Sequence, residues 1–122
     1  MQGINATFHV IRQMFKSTVP PCQVTTDEDA HYEVRAIKKD AHGETLSDKL
    51  VGYVVKHEDS VTVGFDSLLN DAVKRELFST YLIQKMNRES RIRIHRMTAQ
   101  LHSDLQSAID QLLRYYTKVN WA

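Results

Sequence analysis

A chain of 122 residues, 42% hydrophobic and 25% charged, is long enough to bury a core without disulfides or a structural metal, and that composition excludes global disorder. Sixteen basic residues against fifteen acidic ones leave a formal charge of +1, which argues against a dedicated polyanion binder while leaving room for a local patch. The one cysteine, Cys22, cannot close an internal disulfide, and no run approaches the roughly 20 apolar residues of a membrane span, so the expectation is a cytoplasmic protein without a membrane partner.

Ile4, Phe8, Ile11 and Phe15 recur at spacings of four, three and four, with Val10 and Met14 flanking them, which is one face of a helix. Pro20 and Pro21 cannot continue it, so it ends near Ser17. The polar, acidic Thr25-Thr26-Asp27-Glu28-Asp29 reads as a loop. Tyr32, Val34 and Ala36 then alternate with Glu33 and Arg35 as in a half-buried strand, and Asp40-Ala41-His42-Gly43 supplies turn chemistry. Leu50 to Val55 is rich in β-branched and aromatic residues and pairs with the alternating Val61 to Phe65 in a hairpin, turned by Glu58-Asp59-Ser60. Ser67 is placed to cap a helix carrying Leu69, Val73 and Leu77. From Phe78 to Glu89 the pattern fits either an extension of that helix or a short strand. Arg91 to Met97 reads as a strand. A last helix follows, with Leu105, Ile109, Leu112, Tyr116 and Val119 on one stripe; Ser103 and Gln106 form a capping-box pair that starts it, and it runs to about Trp121. Strands grouped between terminal helices predict an α+β fold over residues 1–122, a single domain with helices on an antiparallel sheet.

The residues that carry chemistry form two groups. Asp27, Glu28, Asp29, His31 and Glu33 put five potential ligands within seven positions, and hard oxygen donors with one imidazole suit iron or manganese better than thiolate-loving metals. The spacing specifies no closed site, and a solvated acidic loop leading into a strand is the favoured account of these residues on their own. On a strand His31 and Glu33 share a face, with Tyr32 opposite. Arg91, Arg93 and Arg96, with His95, Lys85 and Arg88 nearby, form a basic group suited to phosphates or carboxylates. Stacking aromatics are not interleaved with these arginines, which argues against nucleic acid as the partner. Cross-strand charge pairs finishing a solvated face are the competing account. Cys22 has no local signature of a nucleophile, there is no Gly-x-Ser-x-Gly elbow, and the four glycines build no phosphate loop, so no enzyme activity is expected. Trp121 reads as helix-end packing or as an anchor for a protein partner or a homodimer contact.

Val51-Gly52-Tyr53-Val54-Val55-Lys56-His57, Val61-Thr62-Val63-Gly64-Phe65 and Arg91-Ile92-Arg93-Ile94 resemble the YdhG-like family of small bacterial domains of unknown function. Pro20 falls where that family has a proline after its first helix, and Leu105, Ile109 and Leu112 fall on its closing helix. The resemblance implies an α-β-α layout similar to frataxin, with two terminal helices on an antiparallel sheet. Some relatives look like iron chaperones that bind ferrous iron through surface carboxylates and pass it to a protein partner. On that analogy Asp27, Glu28, Asp29, His31 and Glu33 hold iron. Two departures stand against it: the first helix contains no Asp or Glu, and a Gly-free stretch from Leu68 to Glu89 replaces the family's glycine-bearing segment. The expectation is thus a non-enzymatic domain that binds iron or a protein partner. The alternative is an anion- or nucleic-acid-binding module built on Arg91, Arg93 and Arg96.

Overall fold

A computed structural model describes residues 3–119. Helix α1 (Ile4–Lys16) comes first, with Phe8, Ile11, Met14 and Phe15 buried along one side as their spacing predicts. Strands β1 (Gln23–Glu28), β2 (His31–Lys39), β3 (Thr45–Lys56) and β4 (Val61–Gly64) follow as an antiparallel meander. Two short helices, α2 (Asp71–Leu77) and α3 (Thr80–Lys85), then return the chain to β5 (Arg91–Ile94), which pairs antiparallel with β4 at the sheet edge. Helix α4 (Ala99–Lys118) closes the described chain. The fold is α+β, a five-stranded antiparallel sheet with order β1-β2-β3-β4-β5 and flanking helices.

Period-two alternation explains which face is covered. Tyr32, Val34, Ala36, Val54, Val61, Val63, Ile92 and Ile94 are all buried and join Phe8, Ile11, Phe15, Leu105, Ile109 and Leu112 in one apolar cluster. Helix α1 lies against β2, β3 and β4, while α4 packs on α1, α2 and α3. The Tyr116 hydroxyl on α4 donates to the Leu50 carbonyl at 2.8 Å, which ties the last helix to β3 and lets a tyrosine sit in the core with its oxygen satisfied. Burial pushes that phenol well above its usual range. Gly52 is required where the Phe15 ring lies against β3, because any Cβ there would overlap the ring. Gly43 takes a φ of +83° in the β2–β3 turn, where Asp40 Oδ1 accepts from the amides of His42 and Glu44.

Five local readings change. Residues 23–28 are strand, not loop: β1 is an outer strand whose side chains are mostly exposed, so it shows no alternation, yet its backbone pairs with β2 through a register shift between Val24 and Thr26. Helix α2 is capped by Asn70, whose Oδ1 accepts from the Val73 amide at 2.9 Å, and not by Ser67. The Phe78–Glu89 stretch holds a separate helix, started by Ser79 Oγ accepting from the Leu82 amide at 3.2 Å. Strand β5 stops at Ile94 instead of Met97, and α4 starts one turn before Ser103, capped by Thr98 with Oγ1 accepting from the Leu101 amide at 3.1 Å. Leu101 is buried, so the apolar stripe of α4 extends upstream of the Ser103–Gln106 pair. Trp121 lies outside the described residues.

Candidate functional site

The strands turn their other face away from the apolar cluster, and pairing assembles that face into cross-strand rows. One row runs Thr26, Glu33, Tyr53, Gly64, Arg91 from β1 to β5; the next runs Glu28, His31, Val55, Thr62, Arg93. These residues come from five segments of sequence, and the antiparallel register alone makes them neighbours. Over the β2–β5 part of the two rows lies an open cleft of about 640 Å³, lined among others by His31, Tyr53, His57, Lys85, Arg91 and Arg93. A second hollow, with Leu50, Phe65 and Leu68 on its walls, shares Tyr53 and Arg91 with the first. Leu68 is 86% exposed there.

The charges divide the face. Lys85, Arg91 and Arg93 line the cleft with Glu33 as its one carboxylate. Glu33 is already engaged: Oε2 accepts from Thr25 Oγ1 at 3.1 Å and pairs with Arg35 at 3.4 Å. Arg35 also donates to Asp48 at 2.6 Å, and that bond holds its guanidinium above the usual value. Arg91 pairs at 2.7 Å with Glu89, and Arg93 approaches Asp59 at 3.8 Å while its Nε donates to Ser60 Oγ at 3.0 Å. The partners are turn residues beside the strand, not opposite strand neighbours. Each guanidinium carries five N–H donors, and the two side chains stay 50% and 62% exposed, so both retain donors facing solvent. Lys85 has no ion pair among the described residues; its ammonium lies 4.9 Å from the Tyr81 ring centroid.

The turn into β5 is tightly organised. Asn87 Oδ1 accepts from the amides of Glu89 and Arg91, and Ser90 adopts a φ of +60°. This loop sets Arg91 at the start of β5 and puts Asn87 itself on the cleft wall. At the centre, the Tyr53 ring lies over Gly64, where a Cβ would overlap it. The His31 ring meets Tyr53 edge-on, centroids 6.0 Å apart and planes at 67°. His31 Nε2 is shielded from solvent without a hydrogen-bond partner among the described residues, an arrangement that costs about 1–3 kcal/mol when nothing pairs with it.

The five expected metal ligands do not gather at one point. His31 and Glu33 share the open face as predicted; Glu28 on β1 pairs with His31 on β2, yet it lines a hollow beside α1 together with Asp27, Asp29, His9, Arg12 and Lys56. Asp27 takes the other face, where its Oδ1 accepts from Arg12 on α1 at 2.7 Å, and Asp29 sits in the β1–β2 turn. Among the described residues no three His, Cys, Asp or Glu side chains are grouped as a metal site. Of the three arginines, Arg91 and Arg93 line the cleft, whereas Arg96 lies in the bend beyond β5. Lys85, Asn87 and Tyr53 join the arginines on the cleft wall without a motif to mark them; for Tyr53 the one trace in the sequence is a glycine, Gly64, at the partner position of the next strand. Cys22 is buried, and that burial raises its thiol pKa, with a Thr18 hydrogen bond pulling the other way, the reverse of what a nucleophile needs.

Among the described residues no helix is long and apolar enough to cross a membrane. Compared with known proteins, the chain matches no family model, no curated protein and no solved structure.

Proposed function

We propose that this protein is a binding module that takes an anionic ligand on the open face of its sheet, through Lys85, Arg91 and Arg93. The observation that carries the reading is the composition of the cleft: Lys85, Arg91 and Arg93 line it with one carboxylate, Glu33, which is occupied by Arg35 and Thr25, while Glu89 and Asp59, the partners of the two arginines, lie outside its lining and leave both guanidinium groups half exposed. A volume of about 640 Å³ falls in the range of small-molecule sites, about 300–1,000 Å³. Arg91 and Arg93 sit on adjacent outward positions of one strand, with the guanidinium forks that suit bidentate contact to phosphate or carboxylate. The cations are borne on β5 and the end of α3, elements fixed by pairing and packing.

The test is a titration of the folded protein with inorganic pyrophosphate, followed by calorimetry and by amide chemical shifts. Saturable binding is expected, with shifts centred on β5 and residues 85–90, weakening as salt is raised from about 50 to 200 mM. A K85Q/R91Q/R93Q variant that melts like the parent should lose it. Binding that survives the triple substitution, or shifts confined to the β1–β2 turn, would defeat the assignment.

A further inference from the structure

The cations are only half of the cleft's chemistry. The row that ends in Arg91 has Tyr53 two strands away, with Gly64 between them and no side chain to separate the two. The phenol ring is spread over that glycine, and the His31 ring stands at 67° to it with centroids 6.0 Å apart. Tyr53 is half-buried and lines both hollows. A ring seated on a glycine in mid-sheet with part of its surface left to solvent is a platform, and beside it stand guanidinium and ammonium groups. Val55 continues the apolar floor in the neighbouring row.

We infer that the ligand of this cleft is an aromatic phosphate of nucleoside monophosphate type. Its base stacks on Tyr53, and its phosphate is held by Arg91, Arg93 and Lys85. The inference rests on the reading of the face as an anion site and adds the second recognition element. A free mononucleotide fits better than a strand of nucleic acid. Arg91 and Arg93 are each already beside a carboxylate, Glu89 and Asp59, Glu33 stands in the cleft itself, and the whole chain carries a formal charge of only +1, so no continuous basic track is built for a strand. Asn87 spends its carbonyl oxygen on two backbone amides, which leaves its side-chain NH2 as a donor on the cleft wall.

The experiment compares adenosine 5′-monophosphate, ribose 5-phosphate and adenosine as probes, on the parent protein and on Tyr53→Leu and Tyr53→Phe variants whose melting is checked first. The nucleotide should bind the parent about tenfold or more tightly than ribose 5-phosphate, the margin expected of one stacked base. Tyr53→Leu should erase that margin while leaving ribose 5-phosphate affinity in place, and Tyr53→Phe should keep it. Should Tyr53→Leu unfold, Gly64→Ala serves instead, since it displaces the ring without removing it. Equal affinity for the two phosphates in the parent would overturn the stacking inference and leave the anion site standing. No affinity for either phosphate would overturn both. A single-stranded decanucleotide that binds more than about tenfold tighter than the mononucleotide, with a steep salt dependence, would overturn the choice of a free nucleotide.

Discussion

Gly52 and Gly64 face opposite sides of the same pair of strands, and the same substitution at each should have opposite consequences. A Cβ on Gly52 would run into the Phe15 ring, which is fully buried, and would come within 3.0 Å of the Gly64 carbonyl oxygen. Phe15 has little room to yield, since it is fully buried and the Phe65 ring centroid is 6.1 Å from its own. Overpacking of this kind costs about 1–3 kcal/mol, while replacing a mid-strand glycine by alanine returns about 0.5–1 kcal/mol of backbone entropy. Gly52→Ala should therefore destabilise by up to about 2.5 kcal/mol, a melting point lower by up to about 10 °C for a chain of this size. At Gly64 the obstructing atoms are the far end of the half-buried Tyr53 ring, which can swing toward solvent. The entropy gain then roughly offsets the lost contact, and Gly64→Ala should melt within about 2 °C of the parent. Thermal unfolding followed by circular dichroism reads both variants. Gly52→Ala melting at or above the parent would mean that Phe15 is not seated on β3. Gly64→Ala melting as low as Gly52→Ala would mean that Tyr53 is locked and not a movable platform.

Two further expectations follow from the same geometry. Thr98→Ala should cost about 1 kcal/mol in urea unfolding and Ser103→Ala only a few tenths, because Thr98 holds the cap bond to Leu101 and Ser103 lies inside α4; a larger loss at Ser103 would contradict the observed start of the helix. Anaerobic titration with ferrous iron should show no saturable site in the micromolar range, since Asp27 is committed to Arg12 on one face of the sheet and Glu33 to Arg35 and Thr25 on the other. Micromolar binding abolished in a D27N/E28Q/D29N variant would establish the carboxylates as ligands and support the frataxin-like analogy.

Most of the fold was legible because burial imprints a period. The stripe Ile4, Phe8, Ile11 and Phe15 and the alternation through Tyr32, Val34 and Ala36 each report a face pressed on the core. Where burial is absent the imprint is absent too. Strand β1 has no buried position at all, so nothing but its backbone pairing marks it as a strand. The helix starts failed for a different reason. Ser67, Asn70, Ser79, Thr98 and Ser103 all have side chains able to cap, and which one does is decided by where the chain leaves the sheet, not by the residue type. Asp66 shows the competition: its carboxylate takes the Leu68 amide in a local turn, and α2 begins only after that turn is complete.

The cleft is illegible one strand at a time, and the reason is geometric. Searching Arg91 to Arg96 for an interleaved aromatic finds none, because alternation along a strand places Ile92 and Ile94 between the arginines and turns both into the core. The aromatic arrives from the side: β3 to β4 to β5 pairing puts Tyr53 opposite Gly64 and Gly64 opposite Arg91. A row across a sheet samples residues dozens of positions apart, here 53, 64 and 91, and its spacing in sequence depends on turn lengths that carry no chemistry of their own. The two glycines show how such a row leaves a trace. Gly52 and Gly64 sit in strands otherwise rich in valine, where glycine weakens pairing unless something must approach closely. At Gly52 the visitor is Phe15 from the helix side, and at Gly64 it is Tyr53 from the open side. The first closes the core. The second makes room beside Arg91 for a flat ring, and that vacancy in the side-chain pattern is the feature that points from the fold toward a ligand.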